Sequence, residues 1–520
     1  MGHETELKLS VPPSALARIK RARSLRDLRN NRSPSPETDL VSVYYDTPRR
    51  LLRKNGITLR LRKLDGRLLQ TVKAHVDSFP RRQEWEREVN DRSLDFKATE
   101  GTPLDPLLSK RARRELRPVF ETRVRRGTIS LEKGASKIEV SLDRGQIRGS
   151  RLHSPIREVE LELKDGDPAD LFQLAREIAK ISPVRLAVLS KAEVGYRLVD
   201  HEKTEALRSD PIVLCRKLGA AETFRDIANS CLRQVVANEE SVTAGQPEGV
   251  HQMRIGLRRL RTALAFFSQL TNADPKTERI KNNLKWITGE LSPARDLDVY
   301  LQKSVQPVEC GEPPTIGSYG LARATERRRK AAFLQAREAV CSKRYREIII
   351  DVIAWINAGA WLTDDNERAR AQRGRPIFDF VRDEMSRRTK KLGKKNKKLK
   401  KADARTRHKI RINAKKLRYA SEFFASIFPS KKATKQRRAF AKSLKRLQSS
   451  LGDLNDFKVH DELNKHLVFS KRINAGRGRR RRAFAAGVIA GNERSRSAPL
   501  LKTAKRALRD VATGNRYWRK

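Results

Sequence analysis

The chain has 520 residues, and its 115 Lys and Arg side chains far outnumber its 62 Asp and Glu. Folding does not require such an excess; it indicates partners that are polyanions or anionic surfaces. The length suits two to four domains with cores of their own, and no stretch approaches the roughly 20 apolar residues of a membrane span, which excludes an embedded function.

The first residues lack the positive start and apolar run of a secretory leader, and four cysteines lie scattered without a CxxC pair. A cytoplasmic protein with reduced thiols is expected. Residues 1–200 hold 42 basic and 29 acidic side chains, while residues 201–520 hold 73 and 33. The partner-binding charge is therefore concentrated in the C-terminal part.

Residues 1–200 read as strands. Alternating runs occur at 4–9, 41–45, 58–62, 68–73, 83–89, 119–125, 137–142 and 157–163. Asp65-Gly66, Arg126-Gly127 and Asp143-Arg144-Gly145 read as turns between several of them. Eight such runs predict an antiparallel sheet or barrel. Asp167-Pro168 opens a helix to about residue 181.

Within each run the charges share one face. Glu4, Glu6 and Lys8 have one parity, as do Arg60 and Arg62, Arg123 and Arg125, Glu139 and Asp143, and Glu158, Glu160 and Glu162. A single strand of this kind is an ordinary watery face. Repeated along eight strands, with acids on the first and last and bases between, the pattern fits a closed barrel with charge in its lumen. Such a lumen requires a ligand: carboxylates suit Mg²⁺ or Mn²⁺, and Arg and Lys suit phosphate.

The Glu4-x-Glu6-x-Lys8 start resembles the signature of the CYTH superfamily, the triphosphate tunnel metalloenzymes. The resemblance includes Arg60-x-Arg62, Lys73, Glu84-x-Glu86, Arg123-x-Arg125, Glu139 with Asp143, Glu158-x-Glu160-x-Glu162 and Ser190-Lys191. It implies an eight-stranded tunnel that hydrolyses a triphosphate. Glu4, Glu6 and Lys8 would be catalytic. Glu4, Glu6, Glu160 and Glu162 would hold Mg²⁺ or Mn²⁺, with Glu139, Asp143 and Glu158 as further candidates. Lys8, Arg60, Arg62, Lys73, Arg123, Arg125 and Lys191 would bind phosphates.

A linker is placed at 201–215, and residues 216–515 read as helical in two pseudo-repeats, about 216–365 and 375–515, with a loop at 304–320. Lysine-rich 386–401 and Arg477–Arg482 read as solvated runs. His251-Gln-Met-Arg254 through Arg261 recurs as His408-Lys-Ile-Arg411 through Arg418, 157 residues on, each copy running into Phe-Phe. On a helical wheel His251, Arg254, Arg258 and Arg261 form one stripe beside the apolar face, and His408, Arg411, Lys415 and Arg418 repeat it. A stripe bordering the core lines a groove between helices. Asp296, Asp298, Asp453 and Asp456, in a second repeated segment, are orienting partners or helix caps.

This half resembles the CHAD family, the conserved-histidine α-helical domain, through His251, Arg254, Arg258, Arg259 and Arg261 and through His408, Arg411, Lys415, Lys416, Arg418 and Tyr419. The resemblance implies two four-helix bundles with a basic groove for inorganic polyphosphate. The expected protein is α+β multidomain: a triphosphatase acting on tripolyphosphate, tethered to polyphosphate or its granules, with no membrane partner. RNA is expected only as a weak, non-specific competitor, since aromatics do not interleave with the basic runs. The alternatives are adenylate cyclase or thiamine triphosphatase activity, or a non-catalytic polyanion scaffold.

Overall fold

The computed structural model describes residues 5–29, 37–64, 66–74, 83–202, 205–395, 399, 402–469 and 476–519. By packing, the chain forms two compact units. One comprises Met1–Leu207, Leu232–Glu240 and Cys341–Leu362; the other comprises Arg208–Cys231, Ser241–Val340 and Thr363–Lys520. The division is thus not a single cut at 201–215. The Lys343–Ala358 helix, expected in the first helical repeat, packs instead on the Pro168–Ile181 helix of the strand unit, where Arg176 donates to Asp351 at 2.9 Å.

In the first unit, β1 (Thr5–Ser10), β2 (Thr38–Asp46), β3 (Ile57–Leu64), β4 (Arg67–Ala74), β5 (Gln83–Val89), β6 (Arg117–Lys133), β7 (Ser136–Gly149), β8 (Leu152–Asp165) and β9 (Arg185–Leu186) form one sheet. Their order is β5-β4-β3-β2-β6-β7-β8-β1-β9, and the pairs are antiparallel. Eight strands were expected, and nine are found among the described residues. The ninth is two residues long, too short to leave an alternation signal.

Two expected turns are strand interiors. Gly127 pairs with Leu142, and Gly145 pairs with Val124, inside the long β6–β7 hairpin. Gly145 serves close strand approach, because a Cβ there would stand 2.0 Å from the Arg123 carbonyl oxygen. The hairpin turns at Gly134, whose φ of +59° suits glycine.

The sheet reverses the usual sidedness. Leu7, Leu9, Val159 and Leu161 are buried on one face, and the Pro168–Ile181 helix lies against β8 with Leu171, Leu174 and Ile178 buried. Asp167 caps that helix by accepting from the Ala169 amide. With the apolar face covered by a helix, the polar side chains of β1 and β8 turn inward. The Lys191–Val199 helix closes off part of the interior: Ala192, Tyr196 and Leu198 pack against Tyr44, Phe120 and Val124. Gly195 admits the Phe120 ring, which a Cβ would approach to 2.3 Å.

Beyond residue 207 the described regular structure is helical. Four long helices, Ala220–Val236, Pro247–Phe266, Thr277–Tyr300 and Ser318–Cys341, are followed by four more: Ile377–Gly393, Ala404–Phe423, Lys431–Phe469 and Arg477–Thr513. The expected 304–320 loop is partly helical, at Leu301–Val305 and Gln306–Glu309. Of the lysine run, 386–393 completes the Ile377–Gly393 helix, while 396–398, 400 and 401 lie outside the described residues.

The two motif helices pack against each other. Their Phe-Phe ends meet, with the Phe266 and Phe424 rings 5.1 Å apart and Phe380 stacked on Phe267 at 4.9 Å. Met253, Leu257, Leu260 and Leu264, with Ile410, Ala414 and Leu417, are buried. The stripe beside them is the basic one.

Candidate functional site

Each of strands β1–β8 sends at least one side chain into a single cavity of about 190 Å³. β3 and β4 supply Arg60, Arg62 and Lys73, with Glu84 of β5 among them. Glu84 accepts from Arg60 at 3.2 Å and also pairs with Lys73. Three cations share one carboxylate. Burial, then Arg60, pushes Lys73 down to about 7; burial, then Arg60, pushes Arg62 down to about 10.

β1, β7 and β8 supply the opposite charge. Glu6, Glu139, Asp143, Glu160 and Glu162 line the cavity. Glu158, one turn of the strand pleat from Glu160, is paired with Lys191 at 2.7 Å. Lys191 also meets Asp143 at 2.9 Å and Glu160 at 2.7 Å. The Ser190-x-x-Glu193 capping box fixes it at the first turn of its helix. Lys8 pairs with Glu160 at 2.6 Å and Glu6 at 2.9 Å. Burial alone would raise Asp143 and Glu160. The cations together outweigh it, Lys191 and Arg126 at Asp143 and Lys191, Lys8 and Arg126 at Glu160, and hold both carboxylates below their ordinary range.

Arg126 is the principal residue that the strand pattern did not indicate. It lines the cavity and grips Asp143 through two 2.7 Å bonds, while also donating to Glu160. Arg123 and Arg125, expected to bind phosphate, have the other parity. They stand about half exposed on the outer face, paired with Glu121 and Asp39. Glu4 lies outside the described residues.

Among the described residues one set of three carboxylates has oxygens close enough together to share a metal ion, and a second set stands abreast by backbone register. Asp143, Glu158 and Glu160 bring oxygens within 4.8 Å of one another, but Lys191 forms ion pairs with all three. Glu6, Glu162 and Glu139 are directly opposite one another on β1, β8 and β7. Their neighbours are Lys8 and the half-exposed Lys164, which pairs with Glu162 at 2.6 Å. An all-oxygen set of this kind fits a hard divalent cation.

In the second unit a cavity of about 920 Å³ lies along the motif helices. His251, Arg254, Arg258 and Arg261 line it from one helix, and His408, Arg411, Lys415, Lys416 and Tyr419 from the other. Arg295 and Lys303 make eight Lys and Arg side chains, against the carboxylates of Asp296, Asp453 and Asp456. Burial, then Arg411 and Arg258, pushes Lys415 down to about 7, and burial pushes Arg254 down to about 10. Burial and then Arg295 lower His251. The Nε atoms of Arg254, Arg258 and Arg411 are buried with no hydrogen-bond partner.

Two expected groove residues lie elsewhere, and the copies differ. Arg259 is 5% exposed and sits 5.4 Å over the Phe423 ring, whereas its counterpart Lys416 lines the groove. Arg418 donates to Gln448 at 3.1 Å and covers Tyr419, whereas its counterpart Arg261 lines the groove. Asp298 is buried, accepting from Arg295 and Arg329. Sequence reasoning also missed Lys303, Gln448, Asn455 and His460, which line the groove from other segments.

The geometry defines a two-unit α+β protein: a sheet curled around a cavity of paired charges, and a helical unit with a strongly basic groove. Family models for a CYTH domain and a CHAD domain match residues 2–196 and 226–465, and the chain is a CYTH domain followed by a CHAD domain.

An inorganic triphosphatase of Haemophilus influenzae is 30% identical over 203 residues, 38% of this chain and 55% of that one. The chain thus spans about half the length of that curated relative. The crystal structure of the CHAD domain from Ricinus communis is 28% identical, with a TM-score of 0.49, covering 58% of this chain and 96% of that one. A Hippeastrum protein, described as revealing a dominant triphosphatase activity, is 17% identical, with a TM-score of 0.29, over 37% of this chain and 95% of that one. Among the described residues, no helix is long and apolar enough to cross a membrane.

Proposed function

We propose that the CYTH domain hydrolyses a phosphoanhydride bond of inorganic tripolyphosphate and that the CHAD groove binds inorganic polyphosphate. The observation that carries this reading is the segregation of charge in the cavity. Arg60, Arg62 and Lys73 face it with one carboxylate, Glu84, so that wall is short of negative charge. Glu6, Asp143, Glu158 and Glu160 share Lys8, Arg126 and Lys191, and Glu139 and Glu162 share the half-exposed Lys164, so that side has six carboxylates to four cations and is short of positive charge. A polyphosphate anion suits the first wall and a divalent cation the second.

Glu6, Glu139 and Glu162 would hold Mg²⁺ or Mn²⁺. Bound there, the ion supplies neutralisation of phosphate oxygens and a water of lowered pKa. Arg60, Arg62 and Lys73 orient the chain of phosphates and neutralise the charge that spreads over the transferred group. Glu160, held by three cations, fixes Lys8, Lys191 and Arg126 in place. The triphosphatase relative from Haemophilus influenzae supports the choice of substrate.

The groove has eight cationic side chains facing three carboxylates, and no aromatic platform beyond Tyr419. A ligand of repeating charge without bases satisfies it. The experiment is a phosphate-release screen of the purified protein with Mg²⁺ or Mn²⁺ against tripolyphosphate, longer polyphosphate, ATP and thiamine triphosphate. It is joined to competition between polyphosphate and RNA of equal charge over a salt series. Faster release from ATP than from tripolyphosphate, or RNA displacing polyphosphate at equal charge, contradicts the reading.

A further inference from the structure

The Lys191–Val199 helix brings Lys191 to three carboxylates of the cavity, and its first turn is held by a residue from farther along the chain. Glu193, the acid of the capping box, divides its carboxylate. Oε2 accepts from the Ser190 amide at 2.8 Å and from the Ser190 hydroxyl at 2.9 Å, while Oε1 accepts from the Arg233 guanidinium. Ser190 and Lys191 both line the cavity. Arg233 lies on the Ala220–Val236 helix, 40 residues beyond Glu193 and past the end of the CYTH match at residue 196.

The segment that carries Arg233 is tied to the strand unit by other bonds. Leu232–Glu240 belongs to that unit. Asn238, fully buried, exchanges two hydrogen bonds with the Leu207 backbone, at 2.9 and 2.8 Å. Glu239, also buried, accepts from the Tyr345 hydroxyl at 2.9 Å and from Arg185 of β9 at 3.2 Å. Arg185 in turn stands opposite Ser10 of β1. Arg233 thus meets Glu193 from a fixed place.

Lys191 is the first residue of its helix, where helices fray, yet its ammonium meets Asp143, Glu158 and Glu160 within 2.9 Å. A group held so closely needs supports that are themselves locked by hydrogen bonds. A guanidinium donating to a carboxylate is a strong lock. We propose that Arg233 is a positioning residue for the hydrolytic cavity: by fixing Glu193 on Ser190 it holds the turn from which Lys191 reaches the acidic wall. This rests on the cavity being the site of hydrolysis. It means that a residue within the CHAD match, at 226–465, completes the site that the CYTH match carries.

The test compares Arg233→Met, which keeps an unbranched stem, with Arg233→Lys, Lys191→Met and the double variant Arg233→Met, Lys191→Met, all in the full chain. Arg176→Ala is the control: it breaks the pair of Arg176 with Asp351, neither of which lines the cavity. Two quantities are read: kcat/KM for tripolyphosphate with Mn²⁺, and hydrogen–deuterium exchange of the peptide spanning Ser190–Glu193. Arg233→Met is expected to lower kcat/KM about ten-fold and to speed exchange in that peptide. Glu193→Gln, which breaks the same bond from its other end, should repeat both effects. Arg233→Lys should recover most of the loss, and Arg176→Ala should change neither quantity by more than about two-fold. In the Lys191→Met background the Arg233 substitution should add less than about two-fold, because both act through one ammonium.

Unchanged kcat/KM or unchanged exchange in Arg233→Met, equal effects in Arg176→Ala, or full additivity with Lys191→Met overturns the role of Arg233. The exchange readout needs no turnover and stands even where Lys191→Met folds poorly. Wild-type protein that releases no phosphate from tripolyphosphate instead overturns the hydrolytic reading beneath it, while exchange still decides whether Arg233 holds the turn.

Discussion

Glu6 of β1 stands directly across the ladder from Glu162 of β8, and Glu162 stands across from Glu139 of β7. Three carboxylates abreast on one face repel one another, each adjacent pair costing up to about 1 kcal/mol. The arrangement is stable where a cation completes it.

Removing one member should relieve the repulsion and lose the ion. Glu162→Gln is expected to raise the melting temperature of metal-free protein by about 1–4 °C, on the scale of 1 kcal/mol for a domain of this size. Mn²⁺ should then raise the melting temperature of the wild type but not of the variant. Thermal unfolding with and without EDTA measures both.

Arg126 and its neighbours on β6 should separate cleanly. Burial opposes the charge on Arg126, but Asp143 and Glu160 raise its pKa, and its loss leaves both acids with Lys191 and Lys8 alone. Arg126→Ala should cost about 3 kcal/mol in chemical denaturation and lower phosphate release about 100-fold. Arg123→Ala and Arg125→Ala, on the outer face, should leave both within about two-fold.

Lys73 gives the cavity a pH dependence. With its pKa pushed down to about 7, it is charged below that pH and neutral above. A ligand that uses the charge binds less tightly as pH rises through 7, so KM for tripolyphosphate should climb between pH 6.5 and 8.5. Lys73→Arg, which stays charged, should flatten that rise. Steady-state kinetics at fixed free metal concentration gives the profile.

The groove and the core beside it should fail differently. The double variant Arg258→Ala, Lys415→Ala should lose polyphosphate binding by more than about 100-fold, at roughly 1.5–3 kcal/mol per charged contact, while tripolyphosphate hydrolysis is unchanged. Arg259→Ala should lower stability with little effect on the affinity of the folded fraction, because its guanidinium covers Phe423. Phe424→Ala, which removes a ring from the Phe266–Phe267–Phe380 cluster, should cost about 3–5 kcal/mol. Filter binding and urea unfolding distinguish the three.

Much of the site was legible because its signals are local. Strand parity placed Glu6 with Lys8, Arg60 with Arg62, and Glu160 with Glu162 on the cavity face, and the 157-residue repeat placed both histidine stripes. Arg123 and Arg125 were read onto the wrong face because Arg125 and Arg126 are adjacent and either parity holds an arginine. Hairpin register decides it: counting back from the turn at Gly134 pairs Asp143 with Arg126. Gly127 and Gly145 concealed that register by imitating turns. His460 and Lys303 left no pattern, since each reaches the groove from a segment whose placement depends on packing. The transfer of 341–362 to the strand unit likewise follows from long-range contacts such as that of Arg176 with Asp351.

The most direct measurement is the initial rate of phosphate release from tripolyphosphate by wild-type protein and Glu6→Gln, each with Mn²⁺, with Mg²⁺ and with EDTA. A metal-dependent rate in the wild type, abolished by EDTA and at least about 100-fold lower in the variant, is the predicted result. A wild-type rate no higher than that of metal alone, or one equal in Glu6→Gln, would contradict the claim that this cavity is where a triphosphate is cleaved.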